Sequence, residues 1–433
     1  MADRRLLVIS HNAFGKFNNM GRTLEAIYSQ WEPESIAQVY FSEESPSSDV
    51  CRHFFRISDA DILKSVFKRS YAGQCVEQQA TMTQEESNKI RNSNSLKSKI
   101  IKIARNRTPF IYCTRNAMWN LGRWNSPQLR KFIDDFNPEC VFFASGDYSF
   151  SYKIALEIAK TRSIPLVIGC YDDFYIGTHK SVNPFYYINR HSFMKIVKQV
   201  FDYSQCFTAT CDMMSNDYTK LFHKPGYPVY TPSPSQPCIQ KVLDQKQGDI
   251  VYAGNLGYGR AEQLISIGQC LKKIGNPQYP CIHVYSGEVR TNITDKMNLE
   301  NGICFHGSVS PAELKDIIRA TAFVIHTESF GEPHKTRVKY SVSTKIADNL
   351  CSDIPMIAYG PNDVASIQYL EDHNAAFCIT SPESLEEKLR QLLCTNDINC
   401  DVIIANAIKL AAENHNGDKN GKLIKSIIEG AII

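Results

Sequence analysis

Ser343, Thr344 and Lys345 stand together at the start of a run in which Ile346, Ala347 and Leu350 recur at helical spacing. A serine there caps a helix. Unpaired N–H groups, the helix dipole, two hydroxyls and a lysine then converge on one point, which is where a phosphate binds. Asp348, one turn further on, can accept hydrogen bonds from a diol. Two other polar residues stand where chemistry is done. Arg260 follows the loop Gly254-Asn255-Leu256-Gly257-Tyr258-Gly259, and Glu328 follows the apolar run 322–327. Glycines after a strand with an arginine before a helix describe a diphosphate cradle.

These residues need elements to hold them. The run 250–253 reads as a strand, and Leu264, Ile267 and Leu271 give the helix that follows the cradle. The stretch 343–361 reads as helix, turn and buried strand (356–359), closed by Gly360-Pro361. Asp353 stands in that turn, where aspartate tolerates a left-handed backbone.

The segment Glu328-Ser329-Phe330-Gly331, with an acidic residue on the next helix, resembles the carboxy-terminal nucleotide-sugar site of GT-B glycosyltransferases, specifically family 4 and related bacterial polysaccharide enzymes. Phe207-Thr208-Ala209-Thr210-Cys211-Asp212 and the residues after it, to 222, resemble the end of the amino-terminal domain of the same family. The resemblance implies two Rossmann-like, doubly wound α/β domains with the active site in the cleft between them. It implies that Arg260 and Lys345 face the diphosphate, with Glu328 on the donor sugar, Asp348 on the ribose, and Gly307 and Val309 in the loop that meets the nucleobase. Gly21, Asn255, Gly257, Ser343 and Thr344 complete the donor-binding set. The chain departs from the family in two places. Its acidic residues are twenty apart rather than eight, making 331–342 an extra loop, and the family's second cation after the arginine is replaced by Leu264 or Ile265, so that Lys345 substitutes for it.

At 433 residues the chain calls for two domains, and 43% hydrophobic with 21% charged residues is a globular composition. No apolar run approaches a membrane span, and 6–9 is too short for a signal-peptide core, so a cytoplasmic protein is expected. The fifteen cysteines are scattered without a Cys-x-x-Cys pair, and the eleven histidines form no His-x-x-x-His or Cys/His cluster, so neither disulfides nor a metal are expected. Net charge is only +3, but residues 62–131 hold fourteen Lys or Arg against three Glu, a local balance of +11. Lys97, Lys99, Lys102, Arg105 and Arg107, threaded with Leu96, Ile100, Ile101 and Ile103, can lie on an anionic membrane surface at the inner face, with Phe110, Trp119 and Trp124 to insert. A solvated helical face accounts for the charge equally well. No stacking or base-reading motif accompanies it, so nucleic acid is not an expected partner.

In order along the chain, 5–10 reads as a first buried strand, and Gly21 lies in the loop before a helix carrying Leu24, Ile27, Tyr28 and Trp31. The Gly-x-Gly-x-x-Gly of a dinucleotide enzyme is absent there. The strands 140–144 and 165–170 are followed by Asp147 and by Asp172 and Asp173, candidates for holding or deprotonating an acceptor hydroxyl, although an Asp after a strand is more often a helix cap or turn residue. Domain boundaries are expected at 1–225 for the first domain, 226–245 for a proline-rich linker and 246–410 for the second, with 411–433 as a helix crossing back. Ser310-Pro311-Ala312-Glu313 is a capping box.

The function expected is a metal-independent, retaining glycosyltransferase. It would move a sugar from a nucleotide-diphosphate donor to a glycan or lipid-linked acceptor in bacterial surface polysaccharide synthesis, with no cofactor beyond that co-substrate. The alternatives are a sugar-nucleotide epimerase on the same fold and a non-catalytic binding protein. A GT-A enzyme would need an Asp-x-Asp, which Asp59-Ala60-Asp61 spells without following a clear strand.

Overall fold

A computed structural model describes residues 3–15, 19–78, 108–177, 181–233, 248–395 and 399–432. The chain divides into two units, Met1–Val229 with Gly417–Ile433, and Tyr230–Asn416. The helix Cys400–Asn414 stays with the second unit, and the helix Gly417–Ile432 belongs to the first.

The first unit is built on β1 (Leu6–Ser10), β2 (Ile36–Tyr40), β3 (His53–Arg56), β4 (Gln74–Cys75), β5 (Cys140–Ala144), β6 (Leu166–Cys170), β7 (Cys206–Ala209) and β8 (Gly226–Pro228). They pair in the order β4-β3-β2-β1-β5-β6-β7-β8, parallel except for β4 against β3. Every residue of β1, β2, β5, β6 and β7 is buried, Ser10, Gln38 and Thr208 among otherwise apolar side chains, as expected when both faces of a parallel sheet are covered. The last helix closes one face, with Ile424, Ile427 and Ile428 in the core and Lys425 Nζ 2.5 Å from Asp3 Oδ1.

The second unit holds β9 (Ile250–Ala253), β10 (Ile282–Tyr285), β11 (Ile303–Gly307), β12 (Phe323–Thr327), β13 (Met356–Tyr359) and β14 (Phe377–Ile379), all parallel, in the order β11-β10-β9-β12-β13-β14. Strand order reverses between β9 and β12, so the loops leaving their carboxyl ends open a crevice at the switch point. Those loops carry Arg260 and Glu328.

Three sequence expectations change here. Asp59-Ala60-Asp61 opens the helix Asp59–Lys68, where Asp61 forms a capping box with Ser58 and Asp59 accepts from Arg115 Nε at 3.0 Å and Trp119 Nε1 at 2.7 Å; the triplet caps a helix and anchors two side chains. Trp119 cannot insert into a membrane, because it is 1% exposed and stacks on Phe150 with centroids 3.8 Å apart. Segment 331–342 is more than loop, since it contains the short helix His334–Val338. The basic residues from Lys97 to Arg107 lie outside the described residues. Among the described residues no helix is long and apolar enough to cross a membrane. Ser310 and Glu313 form the expected capping box, and Asp353 has φ +55° in the expected turn.

Candidate functional site

The loop after β9 is shaped by close approach. Gly259 has φ +75°, and a Cβ there would sit 2.6 Å from Ser329 Oγ, so only glycine lets this loop lie against the one that follows β12. That contact brings Arg260, the first residue of the helix Arg260–Ile274, onto Glu328. Arg260 Nη2 donates to Glu328 Oε1 at 2.7 Å and Nε donates to Oε2 at 3.1 Å, a two-point pair with side-chain exposures of 15% and 1%. Burial lifts the Glu328 carboxyl above its ordinary range, and the Arg260 charge pulls against it.

Two more groups surround the pair. His326 on β12 is buried, with Nε2 3.0 Å from Ser366 Oγ and 3.8 Å from Glu328 Oε1. Burial, then the charges of Arg260 and Lys345, push its pKa down to about 3, so it is a neutral imidazole. Lys345 is exposed as a residue, but its ammonium reaches back into the crevice and lies over Gly254, where a Cβ would collide with it. Desolvation of that buried tip, then the Arg260 charge, bring its pKa to about 8. Arg260 and Lys345 thus bring two cations to the switch point close enough for the Arg260 charge to depress the Lys345 pKa, an arrangement that a bound polyanion would relieve.

The other donor-side residues frame this point. Asn255 Oδ1 accepts from the Gly257 N–H at 2.5 Å, and Tyr252 Oη donates to the Asn255 carbonyl at 2.6 Å, which sets the loop. Ser343 caps the helix Thr344–Leu350, its Oγ accepting from the Lys345 N–H at 3.3 Å; Thr344 is exposed beside it. Asp348 Oδ1 accepts from Ser233 Oγ at 2.8 Å. Gly307 ends β11 with φ +75°, and Val309 follows half-buried.

Arg337 was missed in the sequence, where its segment read as extra loop. It is exposed and lies over the Tyr258 ring, 5.3 Å from the centroid, while Arg260 approaches the same ring at 5.7 Å. The basic run His334-Lys335-Thr336-Arg337 was the available signal.

Four sequence-predicted residues belong to the first unit. Gly21 is buried in the helix Asn19–Ile27. Asp147, after β5, accepts from the Tyr112 hydroxyl. Asp172 and Asp173 follow β6. Asp173 is committed to its own loop, accepting from the N–H groups of Tyr175, Ile176 and Gly177 at 2.9, 2.8 and 2.6 Å and from Tyr218 Oη at 2.6 Å. It is a turn-holding aspartate, the competing reading of an Asp after a strand.

No protein-family model and no curated protein matches this sequence. Solved structures do. Anabaena Alr3699/HepE in complex with UDP matches 98% of this chain and 100% of its own at 12% identity, with a TM-score of 0.60. The same protein in complex with UDP-glucose matches 98% and 99% at 12% identity and 0.55. WaaG, a glycosyltransferase involved in lipopolysaccharide biosynthesis, matches 98% and 100% at 12% identity and 0.55. This chain has the GT-B fold. The two doubly wound sheets, each with its order reversing at an inner strand pair, are the two Rossmann-like units of a GT-B protein. In GT-B terms the Arg260–Glu328–Lys345 group stands at the switch point of the carboxy-terminal unit.

Proposed function

We propose that this protein is a glycosyltransferase that takes a sugar from a nucleotide-diphosphate donor, with retention at the anomeric carbon, and passes it to a glycan or lipid-linked acceptor in bacterial surface polysaccharide synthesis. The observation that carries this is the convergence of Arg260 and Lys345 on the glycine loop at the β9/β12 switch point. Breaking the anomeric bond leaves negative charge on the diphosphate, so the reaction needs fixed cations there; each preorganised donor of this kind lowers the barrier by roughly 3 kcal/mol. With two cations in place the leaving group requires no metal. Glu328 has both oxygens on Arg260, so its first task is to aim the guanidinium, and it meets sugar hydroxyls only as the donor takes over part of that pairing. Uridine diphosphate is the favoured nucleotide, because HepE, of the same fold, has been crystallised with it.

On the acceptor side Asp147 and Asp172 are the carboxylates for the acceptor hydroxyl, since Asp173 is occupied by its own loop and Tyr218. Docking on an anionic membrane is proposed from the charge of 62–131 and from exposed Phe67, Phe110 and Leu121. Flotation with anionic but not neutral vesicles is the result that supports it.

The test of the main reading is a panel of nucleotides and nucleotide sugars, scored by the rise in melting temperature and then by sugar release with and without excess chelator. A UDP-sugar should stabilise the protein and turn over in chelator. Turnover that vanishes with chelator and returns with a divalent ion would overturn the metal-independent reading, and no stabilisation by any donor would overturn the transferase reading.

A further inference from the structure

The register of two strands assembles a cluster that sequence spacing did not show. β10 and β11 pair His283 with Cys304, and Cys304-Phe305-His306 places Cys304 and His306 on the same face of edge strand β11. Phe305 packs against the core from the other face. The ligating atoms of His283, Cys304 and His306 all lie within 4.8 Å of one another.

Their chemistry is that of a metal site. His283 Nδ1 and His306 Nε2 are 3.0 Å apart, so one ring donates its N–H to the lone pair of the other, and a change of tautomer in the donor ring turns both nitrogens into lone-pair ligands aimed at one point. Tetrahedral zinc with bonds of about 2.0–2.3 Å needs roughly 3.3 Å between nitrogens and roughly 3.6 Å between nitrogen and sulfur, so small side-chain movements suffice. A carboxylate stands near one ligand: Asp249 Oδ1 is 3.7 Å from His283 Nε2, longer than a hydrogen bond but placed to accept one from that nitrogen after a small side-chain rotation. The Tyr285 ring stacks on His306 at 4.6 Å and holds its plane.

We propose that His283, Cys304 and His306 bind one Zn2+, with water in the fourth position, and that the ion ties edge strand β11 to β10. One thiolate and two imidazoles suit zinc better than a hard cation. Binding releases the Cys304 thiol proton to solvent, and the proton between the imidazoles moves to a ring nitrogen that does not ligate, so affinity rises with pH.

The test uses the full chain, reduced and freed of metal with chelator, titrated with Co2+ as a spectroscopic probe. One equivalent should bind, give a thiolate-to-cobalt charge-transfer band, and be displaced by Zn2+. Cys304→Ala should lose the band, and His283→Ala and His306→Ala should each weaken Co2+ binding at least tenfold. Circular dichroism in chelator identifies a variant that has lost its fold; for that position the Ser or Gln replacement is used, and Zn2+ should raise the melting temperature of the parent but not of the replacement. No saturable binding by the parent, a band retained in Cys304→Ala, or histidine variants that bind within a factor of two of the parent would overturn the site.

Discussion

A carboxylate with 1% of its surface exposed needs a counter-charge, and among the described residues Arg260 is the cation paired with Glu328. Removing one partner of such a pair leaves the other charged and buried, which costs about 3–5 kcal/mol. Arg260→Ala should therefore lose stability on that scale as well as turnover. The sign of its pH dependence follows. Without Arg260, burial holds the folded carboxyl above its unfolded pKa, so the folded state binds the extra proton, and the deficit relative to the parent shrinks as pH falls through the folded value. Urea midpoints of both proteins across pH 4–7 (about the carboxylate range) check it, and a deficit under about 1 kcal/mol at neutral pH would mean that the pair is not the buried anchor described. Lys345 gives the opposite kind of test. Its pKa of about 8 in the free protein should rise when a diphosphate binds, so binding takes up a proton and affinity must fall as pH rises past 8. Between pH 7 and 9 the affinity for UDP should fall roughly tenfold in the parent and far less in Lys345→Arg, whose charge does not titrate in that range. Isothermal titration at the two pH values decides, and a flat parent profile would remove Lys345 from the anion site.

The elements that hold these residues were legible in the sequence to different depths. β5, β9 and β13 coincide with apolar runs read from the sequence alone, because a strand covered on both faces has no polar position to blur it. β3 and β14 are short strands with partly exposed residues, and they escaped. Arg337 escaped for another reason: a five-residue helix inside an apparent insertion has too little periodicity to be seen. The His283–Cys304–His306 group escaped because its closeness arises from strand pairing across twenty residues of chain, which no local spacing encodes. Gly254, Gly257 and Gly259 were visible as a glycine loop, but the reason for Gly259 appears only in space, where the loop after β9 meets Ser329. Gly259→Ala must adopt a left-handed backbone and displace Ser329 together. It should lower stability by about 1–3 kcal/mol and, by shifting Arg260 off Glu328, cost more in turnover than the stability loss alone explains. Melting temperature and single-turnover rate on the same preparation separate the two. Alanine tolerated in both would mean that the loop positions are held elsewhere.

At the scale of the whole molecule, acid is the condition this fold should resist least, and the second unit supplies the reason. His326 and His415 are both buried there as neutral imidazoles. Burial, then Arg260 and Lys345, hold His326 near 3; burial holds His415 near 4, against the Thr231 carbonyl that accepts from its Nδ1 at 2.7 Å. With Nδ1 donating, Nε2 of His415 accepts from the Tyr369 hydroxyl at 3.0 Å, so a second proton there would break an existing bond. In the unfolded chain both histidines take up a proton near pH 6.5, while the folded state refuses it until about 3 or 4. The unfolded state then binds more protons throughout that window, so stability must fall as pH falls, by about 1.4 kcal/mol per pH unit for each histidine. Carboxylates add their own slope in the same range, so the contribution of the histidines is read as a difference. His415→Gln can keep a donor toward Thr231 and an acceptor toward Tyr369 without titrating. Its stability relative to the parent should therefore improve steadily from pH 6.5 (about the ordinary histidine value) downward and level off near 4. Urea midpoints at half-unit intervals test this, and parallel curves for the two proteins would show that His415 is not the proton-refusing group the geometry makes it.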